Sequence, residues 1–235
     1  MKPLKVKDKA LVKYSQEHWD ILKKKRIKAT KLLQAFRRRG LVGYVNGSVA
    51  RGDVHRDSDI DIVFLHPVPT FMVEDAIYAE KFHVSHKEIV QATPSSTPKA
   101  YIYLDEETCI HIPLGHFTPR EEEFYRFGGI VSLKELLNDV RVPGVNKKLL
   151  AIIPVEEGHV EFSVIGVESY VADILGISVD TIYERVKMLL RRDEKGRTGV
   201  FIKKILPADA NIEEEARKLA RSCPSFRKRI RELLS

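Results

Sequence analysis

The chain has 235 residues, 43% hydrophobic and 31% charged, with a formal net charge of +7. That is enough apolar material for one large domain or two small ones, and no apolar run approaches the ~18 residues of a membrane span. The two cysteines, Cys109 and Cys223, lie far apart and form neither a CxxC nor a zinc spacing, so reduced thiols in a cytoplasmic protein are expected. The Met1-Lys2-Pro3-Leu4 start leads into lysines without the apolar stretch of a secretion signal.

The basic excess is N-terminal. Residues 1–40 hold fourteen Lys and Arg against three Asp and Glu. Within them, Ser15 to Arg39 reads as a helix, because Trp19, Leu22, Ala29, Leu32, Leu33 and Phe36 recur near period 3.6 and Gly40 follows as a terminator. Lys24, Arg26 and Lys28 belong to its basic face, which Arg38 extends toward the Gly47 turn and which is either a solvated surface or a phosphate contact for DNA or RNA. A strand is then expected over Leu41 to Asn46, entering Gly47-Ser48-Val49-Ala50-Arg51-Gly52, and a second strand over Asp59 to Leu65. Strand side chains alternate faces, so Asp59 and Asp61 emerge on one side while Ile60 and Ile62 enter the core. Two such carboxylates, about 7 Å apart in Cα spacing, suit a hard cation that takes its remaining oxygens from phosphate and water. Gly47 lets backbone amides approach an anion without a Cβ in the way, Ser48 adds a hydroxyl, and Arg51 adds a charged fork.

Gly47, Ser48, Ala50, Arg51, Gly52, Ser58, Asp59, Asp61 and Val63 together resemble the signature of the nucleotidyltransferase superfamily, which includes DNA polymerase β, CCA-adding enzymes and the minimal nucleotidyltransferases. The resemblance covers some twenty residues. It implies an NTP substrate, Mg²⁺ or Mn²⁺ held by Asp59 and Asp61, and a triphosphate held by Gly47, Ser48 and Arg51. It also implies a third carboxylate on a later strand. The corresponding stretch, Thr108 to Pro113, carries His111 in that place, so the candidate catalytic set is Asp59, Asp61 and His111. Glu107, in phase with Cys109 and His111, and Glu88, on an expected strand from Lys87 to Ala92, are the alternative acids.

Downstream, Phe71 to Phe82 has helical spacing, Ala100 to Leu104 and Thr108 to Pro113 read as a hairpin, and Pro119 to Phe127 and Ser132 to Val140 read as helices, the second opened by a Ser132–Glu135 capping box. Tyr170 to Leu189 resembles a helix-turn-helix with Gly176 at the turn and Ser178 as N-cap, leaving Thr181, Tyr183, Arg185 and Lys187 outward. Arg191 to Ile205 would then form a wing with Arg197 near its tip, and two terminal helices are expected over Asn211 to Arg221 and Ser225 to Leu234. The expected fold is α+β, a mixed or antiparallel nucleotidyltransferase sheet with helices on one face over residues 1–130, and a helical, winged-helix-like domain over 131–235. Three functions are open at this point. They are transfer of a nucleoside monophosphate to an acceptor, nucleic acid foremost; a catalytically weakened DNA- or RNA-binding regulator; and an antitoxin-like protein acting on a partner protein.

Overall fold

The computed structural model describes residues 8–196 and 199–230. In chain order its elements are β1 (Ala10–Lys13), α1 (Gln16–Arg38), β2 (Gly43–Asn46), α2 (Ser48–Arg51), β3 (Ile60–Phe64), α3 (Thr70–Ala79), β4 (His86–Gln91), β5 (Lys99–Tyr103), β6 (Thr108–Pro113) and α4 (Pro119–Gly128). There follow β7 (Ile130–Ser132), α5 (Leu133–Leu137), β8 (Gly144–Val145), β9 (Leu150–Val155), β10 (Gly158–Ser163), α6 (Glu168–Leu175), α7 (Val179–Lys195), β11 (Ile202–Leu206), α8 (Ile212–Ser222) and α9 (Pro224–Arg229). They fall into two compact units interleaved along the chain. One holds Met1–Ile27, Val45–Ser58 and Pro119–Thr198; the other holds Lys28–Tyr44, Asp59–Thr118 and Gly199–Ser235. The sequence reading placed a single cut at residue 130 instead.

The first unit contains a four-stranded sheet in the order β1-β10-β9-β8, antiparallel throughout. Leu149, Ala151, Phe162 and Val164 from its strands and their flanks share a core with Val171, Ala172, Ile177, Ile182 and Val186 of the α6–α7 pair. That pair is the expected helix-turn-helix: Gly176 takes the left-handed conformation at φ 60°, and Ser178 caps α7 by accepting from Asp180 N. Two α7 side chains depart from expectation. Thr181 is fully buried and donates to Glu123 of α4, and Arg185 lies over the Phe124 and Phe127 rings, its guanidinium pulled down to about 10 by burial. Arg185 is therefore held by aromatic faces instead of projecting from the helix.

The second unit arranges its strands in the order β11-β4-β5-β6-β3-β2. β3 and β6 run parallel, whereas β4, β5, β6 and β11 form antiparallel ladders, so the sheet is mixed. The apolar stripe of α1, from Ala29 to Phe36, is buried, and Phe36 meets Phe64 of β3 with ring centroids 5.3 Å apart. Lys87, on the buried face of β4, is only 1% exposed and donates to Glu74 of α3 and to the Ala210 carbonyl, both at 2.7 Å. Among the described residues, the wing expected over Arg191 to Ile205 does not form as such. α7 continues to Lys195, and Ile202 to Leu206 pair with Leu206↔Lys87 through Ile202↔Gln91 on β4. Arg197 lies outside the described residues.

Candidate active site

In the first unit, Gly47 has φ 82° and ψ −144°, a conformation that a Cβ disfavours, and its amide donates to Gly129 O at 2.9 Å. The chain then closes the single turn of α2, with Arg51 N and Gly52 N returning to Gly47 O and Ser48 O, and leaves through Gly52 at φ 105°. Gly47 and Ser48 are partly exposed, while Val49, Ala50, Arg51 and Gly52 are buried. The Gly47 amide being taken by Gly129 O, the open half of this turn presents the first-turn amide of Ser48, of the kind a helix leaves unsatisfied, together with the Ser48 hydroxyl.

The buried half is braced. The Arg51 fork donates to both oxygens of Asp53, at 2.9 and 3.0 Å, and its third nitrogen donates to Gly128 O. Its stem runs so close to Gly129 and Gly144 that a Cβ at either would come within 2.8 Å of it. Arg51 thus anchors the turn, and these contacts do not provide the direct phosphate grip expected of it. His18 Nε2 donates to Gly52 O at 2.7 Å, its ring stacks on Tyr14 at 3.6 Å, and the Tyr14 hydroxyl meets His159 Nδ1 at 2.7 Å. Arg26, expected on the basic face of α1, is buried and donates to the carbonyls of Val49, Ala50 and Val140.

In the second unit, Ile60 and Ile62 enter the core as expected, at 1% and 0% exposure. Asp61 stands on the opposite face and Asp59 is exposed immediately before the strand, which starts at Ile60. The parallel register sets Asp61 opposite Cys109 and Val63 opposite His111, and His111 Nε2 lies 3.1 Å from Asp61 Oδ1. Tyr101, paired with His111 on the other side, meets its ring edge-on at 4.7 Å. Burial, together with the charges of Asp61 and Glu88, pushes up the Tyr101 and Cys109 protons.

Neither alternative acid joins this pair. Glu88 lies on β4, three strand spacings or about 14 Å from β3, and is paired with Lys203 at 2.9 Å. Glu107 is exposed in the β5–β6 turn, where its carbonyl accepts from Ile60 N at 2.6 Å. Among the described residues no three His, Cys, Asp or Glu side chains converge as a metal-holding group. The exposed Asp59 and partly exposed Asp61 are oxygen donors of the kind a hard divalent cation takes, with substrate phosphate and water completing its shell.

The residues proposed for nucleic acid divide. Lys24, Tyr183 and Lys187 are exposed. Lys28 is paired with Asp105 and Arg38 with Glu80, which offsets part of their charge. On α7, Asp180 and Glu184 face Arg120 of α4. Among the described residues, no helix is long and apolar enough to cross a membrane.

Neither a curated protein nor a solved structure matches the chain. Residues 29–142 match the family model of the nucleotidyltransferase domain, which spans the Gly47 turn, Asp59, Asp61 and His111, and this supports placing that segment in the nucleotidyltransferase superfamily.

Proposed function

We propose that the protein is a cytoplasmic, divalent-metal-dependent nucleotidyltransferase that moves a nucleoside monophosphate from an NTP to an acceptor hydroxyl, with nucleic acid the favoured acceptor. The observation that carries this reading is the alternation of Ile60 and Ile62, sealed in the core, with Asp59 and Asp61 turned away from it, inside the segment matched by the family model. Ser48 would bind the triphosphate through its amide and hydroxyl, Gly47 would shape the turn that opens them to the anion, and Arg51 would fix that turn from below. Asp59 and Asp61 would hold Mg²⁺ or Mn²⁺, whose chemistry here is to neutralise charge on the phosphates. The acceptor oxygen bonds to the α-phosphorus, the bond from that phosphorus to the pyrophosphate oxygen breaks, and the hydroxyl proton passes to solvent. Lys24, Lys28, Arg38, Tyr183 and Lys187 are the positions at which a nucleic acid would be held.

Replacing both Asp59 and Asp61 with Ala should reduce incorporation of α-labelled NTP by at least 10³-fold while leaving the circular dichroism spectrum unchanged. Undiminished turnover in the double variant would remove the proposed chemistry. A second reading is favoured by His111 standing beside Asp61, where the resemblance expects a third acid: a weakened enzyme that acts as a nucleic-acid-binding regulator, or as an antitoxin-like protein on a partner protein. Salt-sensitive nucleic-acid binding without transfer, or label appearing on protein, would select that reading.

A further inference from the structure

We propose that the second unit carries a binding site for a small aryl carboxylate, in a cavity of about 500 Å³ whose lining includes neither Asp59 nor Asp61. Its apolar walls are Pro67, Val68, Pro69 and Phe71, on the chain that leaves β3, and Leu114, on the chain that leaves β6. β3 and β6 are adjacent parallel strands, so both exits lie at the same end of the pair, whereas Asp59 precedes the other end of β3. The first two turns of α8 close the remaining side through Asn211, Glu213 and Arg217. The volume lies in the range that encloses a small organic molecule, and apolar walls with a few placed polar groups are the usual make-up of such a site.

The chemistry of the ligand follows from which of these polar groups are already engaged. Glu213 turns both oxygens to the start of α3, where Oε1 accepts from Thr70 N at 2.8 Å and Oε2 from the Thr70 hydroxyl at 2.7 Å. Pro69 gives that helix no side-chain cap, so Glu213 serves as one, and its charge is offset by the positive end of the helix. Arg217, four residues further along α8, is exposed, and its side chain makes no hydrogen bond or ion pair among the described residues. Its guanidinium is thus the uncompensated charge of the cavity, and a planar fork of this kind pairs with a carboxylate through two parallel hydrogen bonds. Asn211 adds a donor: its Oδ1 accepts from Glu214 N at 2.8 Å, which leaves the amide nitrogen to donate. Phe71 is 65% exposed, and its ring favours an aromatic body over an alkyl chain beyond what buried area alone would give.

Calorimetric titration of the full chain with hydrocinnamate, accompanied by amide NMR spectra and without NTP or metal, tests the proposal independently of any transferase activity. Hydrocinnamate should bind with a Kd below about 1 mM and shift the amides of Val68, Phe71, Gly115 and Arg217. Hydrocinnamyl alcohol, which keeps the ring and lacks the charge, should bind about tenfold more weakly. Octanoate, with the charge and no ring, should lose about threefold. L-Phenylalanine adds an ammonium group and should bind no more tightly, because Glu213 is already engaged. Arg217→Gln should weaken hydrocinnamate about tenfold and Phe71→Ser about threefold, both with unchanged circular dichroism because both side chains are exposed. Absence of binding, equal affinity for acid and alcohol, tighter binding of octanoate or L-phenylalanine, or an Arg217→Gln affinity within twofold of the wild type would overturn the proposal.

Discussion

Arg51 illustrates how one side chain can change role between a motif and a fold. It is 5% exposed, forked on Asp53 and stacked by its stem against two glycines. Arg51→Met should leave the largely enclosed Asp53 carboxylate without its partner and cost about 3 kcal/mol, measured by urea unfolding. Lys would fare little better, because one ammonium does not reproduce a two-pronged contact plus a third bond to Gly128 O. The glycine turn and the Asp59–Asp61 spacing were legible in the sequence because they are local, with every partner of the pattern within twenty residues. The fate of Arg51 was not legible, since Gly128, Gly129 and Gly144 become its neighbours only after the chain has folded back. For the same reason, Arg26 read as one more surface charge.

Elements whose own sequence declares them were found: α1, the capping box of α5, the β5–β6 hairpin and the α6–α7 turn. The four-stranded sheet of the first unit escaped notice. Its strands are short, Pro154 interrupts the pattern of β9, and β1 pairs with β10 at Ala10↔Glu161 from the other end of the sequence. Within that sheet, His159 is held neutral by burial, which lowers its proton affinity below the ordinary imidazole value, while Tyr14 contacts its Nδ1 and Glu161 lies 3.6 Å from its Nε2. The sign of the pH effect follows. The unfolded chain binds a proton as pH falls through about 6.5, whereas the folded chain binds it only at lower pH, so stability is greatest above that value and declines on acidification. Urea midpoints should therefore fall between pH 7 and pH 5. His159→Gln, which has no such titration, should show a shallower decline.

At the scale of the molecule, the interleaving of segments decides what can be removed. β11 hydrogen-bonds along β4, and Ala210 accepts from the buried Lys87. A chain ending at residue 198 should therefore bare the edge of β4, strip Lys87 of one of its two partners and aggregate, which light scattering and size-exclusion chromatography would detect. Recovery of a soluble, monomeric truncated chain with native circular dichroism would contradict that assignment. The place of β11 beside β4 was not legible in the sequence, because β11, read alone, has the same alternating apolar and lysine pattern as a surface hairpin.

The Gln91↔Ile202 pairing also sets a clock on biosynthesis. With translation at ~5–20 residues per second, the nascent β4 waits roughly 5 to 20 s for its neighbour. During that interval a ribosome-bound chain exposes an open template to its siblings. Lys87 and Glu88, adjacent on that strand and both buried in the finished fold, are charges that discourage such mispairing until β11 emerges.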